Sequence, residues 1–451
     1  MGAEGRGHGM TEVARADARV GTIVVVSVAI LLRGFLGGDV PVRVEAYDGS
    51  VLGPVGARTV LRVRSPDAIR RVLLSPGELG IARAYVAGDL DIDRGTIFDV
   101  LELRHTRTDL RLRPADLLAA ARLLDLHRPA GWRRLRLPPP AEEARPRGRR
   151  HSKRRDAAAV THHYDVSNAF YDIVLGPSMT YSCALWEQPD LTLDQAQTAK
   201  YELVARKLAL RPGMRLLDVG CGWGGMALHA ASRYGVHTVG ITLSEPQASY
   251  ATQAARRAGL AGRVTFRVQD YRDVRDGPFD AISSIGMVEH VGAARLPGYA
   301  GRLFGLLRPG GRLLNHGIAS PSSAVFRPNP FVARYVFPDG ELPEVGRLVS
   351  VLHRAGFEVR HLEGLREHYP LTLRAWVHNL EDRWDDAVRE VGANRARVWR
   401  LYMAGAALGF EEGALHIHQV LAVRPTARGS SGIPLRPDWE PAAHFPETTP
   451  R

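Results

Sequence analysis

Asp218, Gly220, Gly222 and Gly224 fall in one run, Leu216-Leu217-Asp218-Val219-Gly220-Cys221-Gly222-Trp223-Gly224-Gly225, in which an apolar stretch leads straight into a glycine-rich turn. Glycine has no Cβ, so this backbone can take positive φ and let a ligand approach within contact distance. The helical stretch Met226 to Arg233 that follows offers free N–H groups at its start. Such a cradle suits a small, polar, nucleotide-like cofactor. The same pattern serves dinucleotide-binding proteins, and an ordinary tight βα turn can also carry it, so the turn alone does not choose the cofactor.

The turn must be positioned by a sheet. From Arg215 onward, strand and helix patterns alternate as in a doubly wound α/β fold, with strands expected at 215–219, 238–242, 264–268, 281–285, 312–318, 358–362 and 416–423. Ligands on such sheets sit beyond the carboxyl ends of the strands. The polar residues fall there: Gly220 to Gly224 after the first strand, Thr242-Leu243-Ser244 after the second, Asp270-Tyr271 after the third, Glu289-His290 after the fourth, and His316 in the fifth. Five strand ends are therefore expected to converge on one crevice.

The preceding residues read differently. Val42 to Tyr47 alternates with period two, Asp48-Gly49 is a turn, Thr59 to Val63 resumes the alternation, and Ser65-Pro66-Asp67 starts a helix over Ala68 to Leu74. This predicts a small α+β domain over 1–125 without evident catalytic groups. Pro138-Pro139-Pro140 and a run of seven cations from Arg145 to Arg155 then mark 126–156 as a basic, solvated linker. Residues 157–425 form the α/β domain, and the proline- and serine-containing stretch 426–451 is expected to be a disordered tail.

At 451 residues, with 45% hydrophobic and 24% charged residues, the chain can bury a substantial core and is not a disordered protein. A formal charge of +12 favours polyanions, either nucleic acid or an anionic membrane face. The basic run lacks interleaved aromatic residues and no nucleic-acid module is recognisable, which favours the membrane. Val20 to Leu32 is apolar but shorter than the roughly 20 residues a span needs, so it is expected to be a buried helix or strand rather than an anchor or signal. Cys183 and Cys221 are the only cysteines; they form no disulfide framework or zinc-type spacing and fit a reducing cytoplasm.

Six blocks, taken together, carry a resemblance: His163 to Asn168, Met179 to Ala184, the glycine-rich turn, Gly240 to Gln247, Val288 to Gly292, and Tyr335 to Gly340. In their types and order the chain, from about residue 40 to 423, resembles the cyclopropane-fatty-acyl-phospholipid synthases. The resemblance implies a class I methyltransferase fold, Rossmann-like with a mostly parallel seven-stranded sheet, behind a smaller N-terminal α+β lipid-binding domain. It implies S-adenosylmethionine as methyl donor, held by Tyr181, Ser182, Asp218, Gly220, Gly222, Gly224, Thr242, Leu243, Ser244, Gln247, Asp270 and Tyr271. Thr242 stands where many methyltransferases carry a ribose-binding carboxylate, so Gln247 and the hydroxyls are expected to share that task, with Asp270 accepting from the adenine amino group.

The implied reaction adds a methylene across a cis double bond of an acyl chain in a phospholipid. Methyl transfer leaves a carbocation, which must lose a proton in a site that excludes water. The resemblance implies bicarbonate as the base, bound by Cys183, Glu289, His316, Ile318 and Tyr369. From residue types alone Cys183 is equally a buried apolar side chain, Glu289-His290 a capping pair and Tyr369 a core phenol. Tyr164, Tyr181, Trp223 and Phe337 are expected to shield cationic groups through their π faces. No cysteine lies in Tyr402 to Phe410, which excludes a covalent mechanism through that segment. A methyl- or methylene-branched product and a soluble substrate remain alternatives. The resemblance further implies a homodimer that does not bind nucleic acid and works at the inner face of the cytoplasmic membrane.

Overall fold

The computed structural model describes residues 27–29, 31–32, 41–103, 114–124, 126, 128, 137–144, 148, 152–153, 155, 166–322 and 328–439. The chain divides into two units, Met1–Ala141 and Glu142–Arg451.

The first unit carries a four-stranded sheet in the order β2-β1-β3-β4, formed by β1 (Arg43–Ala46), β2 (Val51–Leu52), β3 (Val60–Val63) and β4 (Leu90–Arg94). Strands β1 and β3 are parallel and the two outer pairings antiparallel. Gly49, at φ 80°, lets the chain turn from β1 to β2 in the left-handed region that glycine enters without steric cost. Helix α1 (Asp67–Leu74) starts where Ser65-Pro66-Asp67 predicts, followed by α2 (Glu78–Val86), α3 (Ile97–Glu102), capped by Thr96, and α4 (Pro114–Leu123). Alternation along β1 and β3 turns Val42, Val44, Leu61 and Val63 into one core. Within the apolar segment 20–32, Val28, Ala29, Leu31 and Leu32 are helical, and Val28 and Leu31 are buried in that core; the rest of the segment lies outside the described residues. Among the described residues no helix is long and apolar enough to cross a membrane.

The second unit is built on a seven-stranded sheet in the order β10-β11-β9-β8-β5-β6-β7. Its strands are β5 (Arg215–Val219), β6 (His237–Thr242), β7 (Val264–Val268), β8 (Phe279–Ile285), β9 (Leu307–Ala319), β10 (Glu358–Gly364) and β11 (His416–Val423), so all seven expected strands are present. Strands β7, β6, β5, β8 and β9 run parallel, whereas β11 is antiparallel to both of its neighbours. The chain winds outward from β5 through β6 and β7, then restarts at β8 on the other side of β5. That reversal opens a crevice at the carboxyl ends of β5 and β8.

The helices are α5 (Asn168–Leu175), α6 (Leu193–Leu208), α7 (Gly225–Tyr234), α8 (Glu245–Arg257), α9 (Val288–Val291), α10 (Leu296–Leu306), α11 (Pro330–Tyr335), α12 (Val345–Arg354), α13 (His368–Asp382), α14 (Trp384–Val391) and α15 (Ala393–Glu411). Helices on both faces bury the central strands, so Leu216, Leu217, Val219, Ile282 and Leu313 read as continuous apolar runs.

Where they are described, the expected solvated linker and the expected disordered tail make defined contacts. In the basic stretch, Glu143 pairs with Arg334 at 2.6 Å, Lys153 with Asp273 at 2.7 Å, and Arg155 with Asp339 at 2.5 and 2.7 Å. Lys153 and Arg155 thus meet carboxylates far away in sequence, which a composition-based reading of a charge run cannot anticipate. After Val423, Gly432 O accepts from Arg312 Nη2 at 2.8 Å and the Trp439 ring meets His361 edge-on, so the start of the expected tail packs on the sheet. Residues 440–451 lie outside the described residues.

Candidate active site

The glycine turn takes the conformation that its composition demands. Gly220, Gly222 and Gly224 have φ of 76°, 53° and 91°, and a Cβ placed on Gly222 would meet no atom within 4 Å. The open space beside Gly222 is part of a pocket that runs along the carboxyl ends of β5, β6 and β8. Asp218, Thr242, Leu243, Gln247, Asp270 and Tyr271 line it, as do Tyr181 and Ser182 from the loop before α6.

The walls are fixed by their own hydrogen bonds. Asp218 is 2% exposed and accepts from Ser283 Oγ at 2.7 Å. Burial pushes its carboxyl up to about 6, partly offset by the Ser283 bond and nearby Lys200. Thr242 Oγ1 donates to Gln247 Oε1 at 2.7 Å and accepts from Ser244 N–H at 3.2 Å, while the Ser244 side chain caps α8. The Thr242 hydroxyl thus orients the Gln247 carboxamide. Asp270 is held by Arg272 through Nε at 2.8 Å and Nη2 at 2.6 Å. Burial raises its carboxyl, but the Arg272 bonds outweigh this and hold it below its ordinary value.

Lys200 is a wall residue that the sequence reading missed. It is fully buried on α6, its Nζ donates to Ser182 Oγ at 2.9 Å, and it lies 4.3 Å from the centre of the Tyr201 ring. Burial pushes its amine down to about 7, against the opposing pull of Cys183 and Asp218. A sequence signal exists: Lys200 and Lys207 are seven apart on the face of α6 that also buries Ala196, Leu203 and Val204. A lysine in register with the apolar face of a helix is costly unless it has polar work to do.

None of the five residues expected to bind an anion lines this pocket; His316 and Ile318 stand near the end of β9. Strand β8 pairs with β9 only as far as Ile285 opposite His316, so the N–H of Ile318, two residues on, extends past the ladder. Glu289 on α9 takes it, Oε1 accepting at 2.7 Å, and Glu289 Oε2 is buried without a hydrogen-bond partner. His316 is 1% exposed; its Nδ1 meets Gln419 Nε2 at 3.1 Å, and its Nε2 is likewise buried and unpartnered. Cys183 is fully buried, with Sγ directed at the carbonyl of Ala184, and its turn is tied to α13 by the Ala184 N–H donating to Thr372 Oγ1 at 3.1 Å. Tyr369, on that same helix, is 7% exposed and packs on Phe410 with ring centres 4.7 Å apart.

Burial shapes this chemistry. It pushes Glu289 up to about 7, outweighing the Ile318 bond, so no bound anion is needed to make this carboxyl a weak acid. It drives His316 well below its usual range, with Lys200 and Lys207 adding to the effect, and pushes the Cys183 thiol up. Cys183 is thus a poor nucleophile and His316 a neutral ring. Two orphaned polar atoms in a buried site suit a small group that can donate to one and accept from the other.

Aromatic rings enclose the approach to the pocket. Tyr181 stacks on Trp376 with centres 5.2 Å apart and meets Tyr171 and Trp399 edge-on, while Trp223 packs 4.5 Å from Tyr171. Phe337 meets His290 and Tyr402. Of the four rings expected to shield a cation, Tyr164 lies outside the described residues; Tyr171, Trp376, Trp399 and Tyr402 join the remaining three. Among the described residues, no group of three or more His, Cys, Asp or Glu side chains could hold a metal ion.

Known proteins match this arrangement. The family described as mycolic acid cyclopropane synthetase matches residues 151–420. A probable fatty acid methyltransferase of Mycobacterium tuberculosis is 46% identical over 415 residues, 90% of this chain and 96% of the relative. The cyclopropane-fatty-acyl-phospholipid synthase of Escherichia coli strain K12 is 33% identical over 378 residues, 82% of this chain and 89% of the relative. The crystal structure of mycolic acid cyclopropane synthase CmaA1 complexed with S-adenosylhomocysteine and CTAB superposes with a TM-score of 0.56 at 32% identity, covering 59% of this chain and 97% of that one. The resemblance carried by the six blocks is therefore borne out: the chain belongs to the cyclopropane synthase family and is an S-adenosylmethionine-dependent methyltransferase.

Proposed function

We propose that this protein transfers a methylene from S-adenosylmethionine to the cis double bond of an unsaturated acyl chain in a phospholipid, closing a cyclopropane ring, with bound bicarbonate as the base. The observation that carries this reading is the pair of buried, unpartnered polar atoms, Glu289 Oε2 and His316 Nε2, next to a methyl-donor pocket. The Escherichia coli relative, named for this activity, supports the choice of substrate.

The pocket residues fit the donor. Gly222 leaves open space for it, Gln247 and Thr242 offer polar atoms to ribose hydroxyls, and Asp270 keeps lone pairs for an adenine amino group beside its Arg272 bonds. When bound, S-adenosylmethionine supplies an electrophilic methyl on a sulfonium. The protein's part is to hold the alkene in line with that methyl, a positioning task that falls to the walls formed by Tyr181, Trp223 and Phe337. Those rings also exclude water, which would trap the carbocation as an alcohol, and their π faces stabilise positive charge. Glu289 and His316 would hold the bicarbonate, with Tyr369, Ile318 and the Cys183 turn completing its enclosure. Glu289, as a carboxyl near neutrality, would accept the bicarbonate's own O–H proton as the substrate's proton passes to that base, and so relay it onward.

The first unit is the lipid-holding domain in this reading, and the net charge of +12 draws the enzyme to the anionic inner face of the membrane as a peripheral homodimer. A second reading keeps the fold, donor and alkene but ends in a methyl- or methylene-branched chain. It is favoured by the names of two relatives, probable fatty acid methyltransferases of Mycobacterium tuberculosis and Pseudomonas putida. The readings part after methyl transfer: ring closure as the new methyl loses a proton gives the cyclopropane, a hydride shift before that loss gives a methylene branch, and a saturated methyl branch further requires a hydride donor as two-electron reductant. Expression in a bacterium that lacks such enzymes, followed by fatty-acid analysis of its phospholipids, decides: NMR of a product one CH2 heavier separates a ring from a methylene branch. An unchanged lipid profile overturns both for that host's lipids.

A further inference from the structure

Three residues stand in a row across the last three strands of the sheet. The antiparallel register sets His316 on β9 opposite Gln419 on β11, and Gln419 opposite Glu363 on β10. Lys207, from α6, is fully buried among them: its Nζ donates to Gln419 Oε1 at 2.8 Å and forms an ion pair with Glu363. Gln419 Nε2 in turn lies 3.1 Å from His316 Nδ1.

From these contacts the hydrogen-bond directions follow. Burial pushes the Lys207 amine down and the Glu363 carboxylate pulls against this; as the ammonium of that ion pair it has donors and no acceptor, so only the carbonyl oxygen of Gln419 can face it. The Gln419 amide nitrogen therefore points at His316, and an amide NH2 only donates. Nδ1 of His316 must accept, and the ring proton must sit on Nε2. An imidazolium would set N–H against N–H at this contact.

We infer that Lys207 and Gln419 lock His316 in its neutral Nε2–H form and so fix it as a hydrogen-bond donor toward a bound oxyanion. The two are positioning residues: they act through His316, and the identity of the oxyanion rests on the bicarbonate reading above. The inference also orders that site. Bicarbonate would accept from His316 Nε2–H with one oxygen and donate its own O–H to Glu289 Oε2, satisfying both orphaned atoms at once.

The test is long-range proton–nitrogen NMR of the full chain labelled with 15N-histidine, the His316 signals being assigned by their loss in His316→Asn. The expected result is an unprotonated Nδ1 and a protonated Nε2 near neutral pH. In Gln419→Glu, a carboxylate replaces the amide donor and a proton should appear on Nδ1, while S-adenosylhomocysteine binding stays within twofold of wild type. A protonated Nδ1 in the wild type, or an Nδ1 left bare in Gln419→Glu, overturns the lock. Adding bicarbonate to the wild type should shift the Nε2 signal. If the tautomer is as inferred but the signal does not move, the lock stands and the bicarbonate assignment fails.

Discussion

The carboxylate of Glu289 accepts the backbone N–H of Ile318 at 2.7 Å, which closes the end of β9 and leaves the other oxygen of Glu289 buried without a protein partner. One side chain thus repairs a gap in the sheet and presents a titratable group. The first prediction tests both roles. Burial holds Glu289 near 7 against an ordinary value of 4.5, so the folded state binds its proton more tightly than the unfolded chain does. The stability that this contributes is fully present below about 4.5 and is lost as pH rises toward 7. Compared with Glu289→Gln, wild type should therefore lose roughly 3 kcal/mol across that window and change no further above it, as read from urea unfolding of the ligand-free protein. Turnover of the variant should fall about a hundredfold or more even in saturating bicarbonate, with S-adenosylhomocysteine affinity unchanged. Full turnover would remove Glu289 from the proposed proton path.

Lys200 is a buried cationic side chain on the pocket wall, and the methyl donor carries a carboxylate that needs a donor. Lys200→Met should weaken S-adenosylhomocysteine binding about tenfold, the worth of a hydrogen bond to a charged group, as measured by calorimetry. With its amine pushed down to about 7, Lys200 favours the fold above its ordinary value of 10.5 and progressively less as pH falls toward 7. Wild type should accordingly lose stability relative to Lys200→Met across that range.

Gly222 sits at φ 53° with open space where a Cβ would project. Gly222→Ala should cost only about 1 kcal/mol of stability, from the left-handed backbone alone. Gly222→Val adds a branched side chain at the pocket mouth and should abolish cofactor binding while the far-ultraviolet circular dichroism stays native. Retained affinity in the valine variant would place the donor elsewhere.

Arg155 and Asp339 form a two-pronged pair at 2.5 and 2.7 Å, with side chains 14% and 8% exposed, and Asp339 lines the pocket. Removing only the cation strips a buried carboxylate of this two-pronged partner. Arg155→Ala should then cost about 3 kcal/mol or more, and Arg155→Ala combined with Asp339→Asn clearly less than the sum of the two single changes. Additive losses in thermal unfolding would mean that the pair is not coupled.

Much of the second unit is legible in its residues. Three of the seven strands begin and end where the apolar runs do, and the other four are longer only at their ends. The glycine turn is legible as well, because local backbone demands act on the residues that carry them. Lys200 and Lys207 escaped notice because a lysine is ordinarily a surface residue, and only the packing of α6 against the sheet shows that both are enclosed. The cations of 145–155 looked like a solvated run for a related reason: Asp273 and Asp339, which pair with Lys153 and Arg155, lie more than a hundred residues away.

By itself the sequence determined the strands, the cofactor turn and, through six short blocks, the family, since each of these is written in neighbouring residues. Tertiary structure alone decided the protonation chemistry. Gln419 stands 103 residues from His316 and 212 from Lys207, and no local pattern links them. Antiparallel pairing of β11 with β9 and β10 brings them into one row, and the hydrogen bonds running from Lys207 through Gln419 set which nitrogen of His316 carries its proton.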